Sequence, residues 1–299
     1  MPANRPSMVW NRPVNLTDDD LVLEPTSGSE EPPAWAVVVD GERVGTIALR
    51  DEGGHTTSVR WNTGSGDHAL WTASRALRLV VDHAFDERGF TRIEARVPVE
   101  RIDDIRAASI GGLRREGIVR GAGDDPDRAL LARLAGDPPS TSREGFIALL
   151  NAGLPTKRII AQGLLRDENG RVLLCRLTYK REWDLPGGVI EVGEAPSAGL
   201  VRELHEELGV TVTVGELLTV NWLPAWRGWD DACVFLFDLG RVDATFADQM
   251  DLQPTEIVGV EWCDPDAVRE HAAAAAVELL AAVGAGDLPG YREAPLAPE

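Results

Sequence analysis

The stretch Gly187–Val210, GGVIEVGEAPSAGLVRELHEELGV, constrains the chain more than any other. Glu194 follows Gly188 after five intervening residues, and Arg202-Glu203 follow after seven more. Glu206-Glu207 and Gly209 complete the pattern. Positions three and four apart share a helix face, so Glu203, Glu206 and Glu207 project together. Three carboxylates on one face repel one another unless a cation lies among them. Hard oxygen donors of this kind suit Mg²⁺ or Mn²⁺. The boundaries agree: Pro196 fits a first helical turn and Gly209 a left-handed position just past the end. Leu200, Leu204 and Leu208 give the helix an apolar stripe that seats it. Gly199, in mid-helix, is unfavourable by roughly 1 kcal/mol against Ala.

The charge balance narrows the partners. The 299 residues carry a formal net charge of −19, which opposes a nucleic-acid backbone or an anionic membrane surface. The expected ligand is a small molecule, with neither nucleic acid nor membrane as partner. The length suits two ordinary domains. Cys175, Cys233 and Cys263 are too few and too scattered for a disulfide framework or metal-ligand pattern. They read as small buried residues in a reducing, cytoplasmic setting. The opening MPANRPSMVW lacks a signal-peptide apolar core, and no run approaches the ~20 apolar residues of a membrane span.

Gly188, Glu194, Arg202-Glu203-Leu204, Glu206-Glu207 and Gly209-Val210 resemble the Nudix box at every defining position, and Trp183–Gly188 resembles the run that leads into it. Seven identities at this spacing arise by chance roughly once in 10⁸ start points at average usage, which outweighs the alternative of a solvated acidic helix face. The resemblance implies an α/β/α sandwich whose box forms strand, loop and helix. It also implies metal-dependent hydrolysis of a nucleoside diphosphate linked to another moiety. Carried over by residue, Glu203, Glu206 and Glu207 hold Mg²⁺ or Mn²⁺, with the Gly187 carbonyl as a further ligand. Glu203 acts as a ligand or as the base on the attacking water, Arg202 orients it, and Glu194 braces the loop. Glu256 is the first candidate for a carboxylate from outside the box, with Asp230 and Asp231 next. Arg176, Lys180 and Arg181 are placed to reach phosphates. In the loop Trp222–Asp231, Trp226 and Trp229 either stack a nucleobase or fill the core.

The first half reads as strands at 21–24, 34–39, 43–49 and 56–61, a helix over 73–85, a strand at 91–97, a short helix over 103–110, and strands at 113–119 and 129–134. Asp40-Gly41 is a hairpin signal. Over residues 15 to 136 this order resembles the GNAT acetyltransferase fold, a mixed sheet with helices. Its closest stretches are Ala76–Val81, Arg92–Val97 and Gly112–Gly117. Where that family places a glycine loop before the helix for a coenzyme pyrophosphate, this chain has His68-Ala69-Leu70-Trp71-Thr72-Ala73. The half also lacks a tyrosine and a cysteine. A fold without acetyl transfer is therefore expected, serving regulation, substrate selection or dimerisation. A bifunctional acyltransferase and a nucleotide-sensing module without hydrolysis are the alternatives. The expected α/β (α+β) arrangement has a GNAT-like domain at 1–136, a linker with a short helix at 137–157, a Nudix domain at 158–288 and a tail at 289–299. Within the second domain, strands are expected at 159–165, 172–177, 211–221, 232–239 and 255–262. A single helix is expected from Asp264-Pro265 to about Val283, with a disordered tail from Gly286.

Overall fold

The computed structural model describes residues 13–26, 32–64, 68–225 and 228–295. The chain divides into two compact units, Met1–Pro155 and Thr156–Glu299. The first contains β1 (Leu16–Asp18), β2 (Leu21–Pro25), β3 (Ala34–Val39), β4 (Glu42–Gly53), β5 (Thr56–Asn62), α1 (Ala69–Arg88), β6 (Arg92–Pro98), α2 (Ile102–Ile110), β7 (Arg114–Val119), β8 (Arg128–Leu134) and α3 (Arg143–Gly153). Its eight strands form one sheet in the order β1-β2-β3-β4-β5-β6-β8-β7. Neighbours are antiparallel except β5 and β6. Residues of period two, Leu21 and Leu23, Val59, Ile93, Ala95 and Val97, turn one sheet face into a core with Ala76, Leu77, Val80 and Ala84 of α1 and Ala107 and Ala108 of α2. Helix α1 ends where Gly89 turns left-handed at φ 65°. His83 is buried, with its ring edge-on to Trp35 at 5.9 Å, so it packs in the core. Helix α3, placed in the linker by its composition, contacts β7 and belongs to the first unit. Its N-cap is Ser142, whose hydroxyl accepts from Gly145 N at 3.0 Å.

The second unit contains β9 (Arg158–Asp167), β10 (Val172–Leu177), β11 (Gly187–Val189), α4 (Pro196–Leu208), β12 (Leu217–Leu223), β13 (Ala232–Val242), a 3-10 helix (Ala244–Gln249), β14 (Ile257–Cys263), α5 (Pro265–His271), α6 (Ala274–Ala285) and β15 (Tyr291–Glu293). The sheet order is β14-β10-β9-β13-β12-β15, with β11 paired to β9. Alternation sends successive strand residues to opposite faces. Leu165, Leu173, Cys175 and Phe237 pack under α4. Their neighbours Leu164, Leu174 and Leu236 pack with Val268 of α5 and Leu279 of α6. The unit is thus an α/β/α sandwich in which α4 covers one face.

Three expectations are corrected here. The continuous helix from Asp264 is two helices, because Ala272 and Ala273 are extended. Ala272 instead bridges Trp183, whose N–H donates to His271 O at 2.9 Å. The tail is not without structure: Tyr291–Glu293 pairs in parallel with Val220–Trp222. The strand after the box starts at Leu217, not Thr211. Among the described residues, no helix is long and apolar enough to cross a membrane.

Two cores built from separate residues predict separable folding, as we propose from this division. A fragment beginning at Pro155 is expected to give a cooperative thermal transition and dispersed NMR amide signals. An insoluble or molten fragment would show that the two units complete one another.

Candidate active site

Helix α4 is seated by Leu200, Leu204 and Leu208, all buried. Gly209, at φ 67°, closes it and donates to His205 O at 3.1 Å. The loop after the 3-10 helix then caps it from outside. Asp251 N donates to Leu208 O at 3.0 Å and Gln253 N to Glu207 O at 2.9 Å. Glu256 is carried at the end of this loop, and its carbonyl accepts from Thr178 N at 2.9 Å. The carboxylate distant in sequence is thereby set beside the C-terminal turn of α4 by backbone bonds.

Arg202 organises the near side. Its Nε and Nη2 donate to both oxygens of Glu194, at 3.0 and 2.9 Å. Its Nη1 donates to Glu203 Oε1 at 2.9 Å and Glu206 Oε2 at 3.0 Å, and Nη2 also reaches Val189 O at 3.2 Å. Glu194 further accepts from Glu191 N at 3.2 Å. The Arg202 hydrogen bonds and charge hold Glu194 below the usual carboxylate range. The mid-helix glycine is explained at this point. A Cβ on Gly199 would stand 2.4 Å from Ile190 Cδ1 and 2.8 Å from Glu194 Oε2. Gly188 makes similar room, since its Cβ would lie 2.5 Å from Glu203 Oε2. Gly187 adopts φ 134°, and a Cβ there would meet the Ala161 carbonyl at 2.1 Å.

Glu207 differs from its neighbours. It is buried, with 7% exposure, and among the described residues it forms no ion pair with Arg202. Burial, followed by the charges of Glu203 and Glu256 and a hydrogen bond with Glu256, pushes its pKa up to about 8. Glu203 is raised as well, chiefly by burial, against the opposing hydrogen bond and charge of Arg202. Glu203, Glu206, Glu207 and Glu256 therefore form one electrostatic group. Among the described residues, no three His, Cys, Asp or Glu side chains are already set as a cation cage, and Arg202 engages an oxygen each of Glu203 and Glu206. The donor set nevertheless fits a divalent ion. It consists of hard oxygens, one of them held in a carboxyl whose charge is disfavoured without a cation.

The other predicted residues are distributed differently. Arg176 pairs with Glu261 at 3.3 Å and lies 5.6 Å over the Trp183 ring, while Arg181 is exposed. Trp229 is exposed, with the Arg158 guanidinium 4.9 Å over its ring. Trp226 lies outside the described residues. Asp230 and Asp231 serve the loop rather than α4. The Asp230 carbonyl accepts from Arg158, and the Asp231 carboxylate takes Lys157 and Trp222 Nε1. Sequence spacing gave no signal for Tyr179 and Asp184. The Tyr179 phenol is raised, first by desolvation and then by the charges of Asp184, Glu207 and Glu256, while the residue as a whole stays 61% exposed. Asp184 is fixed by Gln162 Nε2 at 2.8 Å and Lys180 Nζ at 2.5 Å.

The NUDIX domain family model matches residues 156–283. A MutT-like protein of Streptomyces ambofaciens is 35% identical over 134 residues, which are 44% of this chain and 81% of that protein. An 8-oxo-dGTP diphosphatase of Escherichia coli (strain K12) is 41% identical over 56 residues, 17% of this chain and 43% of that protein. Among solved structures, the acetyltransferase (GNAT family) from Bacillus anthracis is 25% identical, with a TM-score of 0.32, over 34% of this chain and 66% of that one. The chain belongs to the Nudix family and is a Nudix-type hydrolase. The matched segment lies within the unit Thr156–Glu299.

The raised Glu207 carboxyl generates a pH dependence. Its ordinary value is 4.5 and its folded value about 8, so between them the folded protein holds a proton that the unfolded chain releases. Its contribution to stability is full below the lower value and is lost as pH rises through the upper one. In a chelating buffer, urea unfolding from pH 5 to pH 8 should show this loss, and Glu207→Gln should flatten it. An identical slope in the variant would remove Glu207 as its source.

Proposed function

We propose that the second unit cleaves the diphosphate of a nucleoside diphosphate linked to another moiety, by attack of water at phosphorus. The observation that carries this proposal is the buried Glu207 carboxyl, crowded by Glu203 and Glu256 and without a basic partner among the described residues. Glu203, Glu206 and Glu207 would hold Mg²⁺ or Mn²⁺, joined by Glu256 and the Gly187 carbonyl. A divalent ion bound there supplies positive charge to offset what develops on the phosphate oxygens. Arg202 fixes the Glu203 carboxylate by a charge-assisted bond, which suits Glu203 to bind the ion or to accept a proton from the attacking water. Glu194 keeps Arg202 in place. Arg176 and Arg181 are proposed to meet the phosphates. Trp229 is proposed to stack a nucleobase on the face that Arg158 does not cover, with Trp226 as its companion in the loop.

The first unit is proposed to lack acetyl transfer. Helix α1 starts at Ala69, after His68, with no side-chain cap, and Trp71 is exposed in its first turn. A pyrophosphate needs converging backbone N–H groups and small residues that admit it. Calorimetric titration of the full chain with acetyl-CoA, in chelator to prevent hydrolysis, should give no dissociation constant in the low micromolar range, or about −8 kcal/mol. Binding that tight would revive the bifunctional alternative.

The hydrolase assignment is tested by turnover. Glu206→Gln and Glu207→Gln should each lower kcat by ~10² or more with the fold intact by circular dichroism. The substrate panel is ADP-ribose, 8-oxo-dGTP, a dinucleoside polyphosphate and coenzyme A, each with Mg²⁺ and with Mn²⁺. Near wild-type turnover in both variants would sink the metal-ligand assignment.

A further inference from the structure

The first unit's sheet carries a basic cleft that the hydrolase chemistry does not use. Strands β5 and β6 pair in parallel only at Thr56–Ser58 with Arg92–Glu94. Beyond Ser58 the two strands part, although β5 continues to Asn62 and β6 to Pro98. The inner-facing Val59, Ala95 and Val97 are buried in the core with α1 and α2. The alternating residues Arg60 and Arg96 are exposed on the other face. A cavity of about 750 Å³ opens where the strands part, lined by Arg60 and Arg96 and also by the core-packed Val59, Trp61 and Val97, within the ~300–1,000 Å³ typical of small-molecule sites.

Its lining is unusual for so acidic a chain. Arg50, Arg60, Arg96, Arg101, Arg120 and Arg128 contribute six positive charges. Glu52, Glu94, Asp104 and Asp125 contribute four negative ones, so the lining carries a net +2 in a protein of net −19. Two of the acids bind closely: Glu94 to Arg96 at 3.0 Å and Asp104 to Arg101 at 2.5 Å. The pairs Arg50–Glu52 and Arg128–Asp125 are stretched to 3.9 and 3.8 Å on the surface, where such pairs contribute little. Among the described residues, Arg60 and Arg120 have no ion-pair partner at all. The Trp61 indole nitrogen, on a residue that also lines the cavity, is buried and lacks an acceptor. No residue from the start of α1 lines the space, so it is separate from the His68–Ala73 stretch.

We propose that this cleft binds a small, multiply charged anion through carboxylate or phosphate groups, with Arg60 and Arg120 as its principal contacts. Guanidinium groups meet both oxyanions with paired, charge-assisted bonds, which suits them better than lysines to a solvent-open cleft. The surrounding negative protein repels anions in general, so the local excess of arginine selects a ligand that can make several contacts at once. The site lies within the first unit and does not depend on the hydrolase proposal.

The test is calorimetric titration of the full chain in EDTA, at low salt, with citrate in one arm and tripolyphosphate in the other. At least one anion should bind more tightly than about 0.1 mM, and the arm that responds identifies the oxyanion. Arg60→Glu combined with Arg120→Glu, both on exposed side chains, should weaken that binding by at least about tenfold without changing the circular dichroism spectrum. Glu207→Gln should leave it unchanged. The proposal is overturned if neither anion binds at millimolar concentration. It is equally overturned if the double variant binds like the wild type, or if the loss follows Glu207→Gln instead.

Discussion

One guanidinium holds the candidate site together. Arg202 spans the loop before α4 and the helix itself, joining Glu194, Glu203, Glu206 and the Val189 carbonyl. A single positive charge shared among three carboxylates leaves the cluster short of compensation. The shortage falls on Glu207, which is buried one turn further on and faces Glu256. The arrangement is divided in two: a half that Arg202 pairs and fixes in place, and a half around Glu207 and Glu256 where burial and like charge disfavour ionisation. Loss of Arg202 would leave three carboxylates near one another without a counterion. The site therefore depends on this residue more than on any one acid.

Position follows from packing. The leucine stripe of α4 presses on β9, β10 and β13, while α5 and α6 occupy the opposite face with the alternate residues of the same strands. A helix pinned this way cannot rotate to relieve the repulsion among its glutamates. Three glycines permit the closeness. Gly187, Gly188 and Gly199 each stand where a Cβ would strike the Ala161 carbonyl, the Glu203 carboxylate or the Glu194 carboxylate. The helix propensity lost at Gly199 gives Glu194 the space it needs to reach Arg202.

Much of this was legible in the sequence because it is local. The box glutamates, the proline at the helix start and the closing glycine lie within one short stretch, and their spacing alone puts them on one face. The strands of the first unit, with their two-residue alternation, were similarly visible. What was hidden depends on contacts between distant segments. Glu256 is a candidate in the sequence, but the loop whose backbone caps α4 and carries it there is not visible, nor is the diversion of Asp230 and Asp231 by Arg158, Lys157 and Trp222. Tyr179, two residues beyond β10, feels the charges of Asp184, Glu207 and Glu256 without belonging to any motif. The alanine tract after Asp264 has uniform helix propensity, so composition could not reveal that Trp183 pulls Ala272 out of the helix. The arginine cleft was equally invisible, since its six residues are spread from Arg50 to Arg128.

The final strand has a consequence of another kind. β15 lies along β12: Val220 N donates to Gly290 O at 3.0 Å, Ala294 N to Trp222 O at 2.8 Å, and the Thr219 hydroxyl to Pro289 O at 2.8 Å. An uncovered β12 would offer a row of unmet peptide groups flanked by Leu217 and Leu223, which is a template for strand addition by another molecule. Three residues remote from any chemistry thus act as a selvedge, finishing the border of the sheet so that it does not unravel into its neighbours.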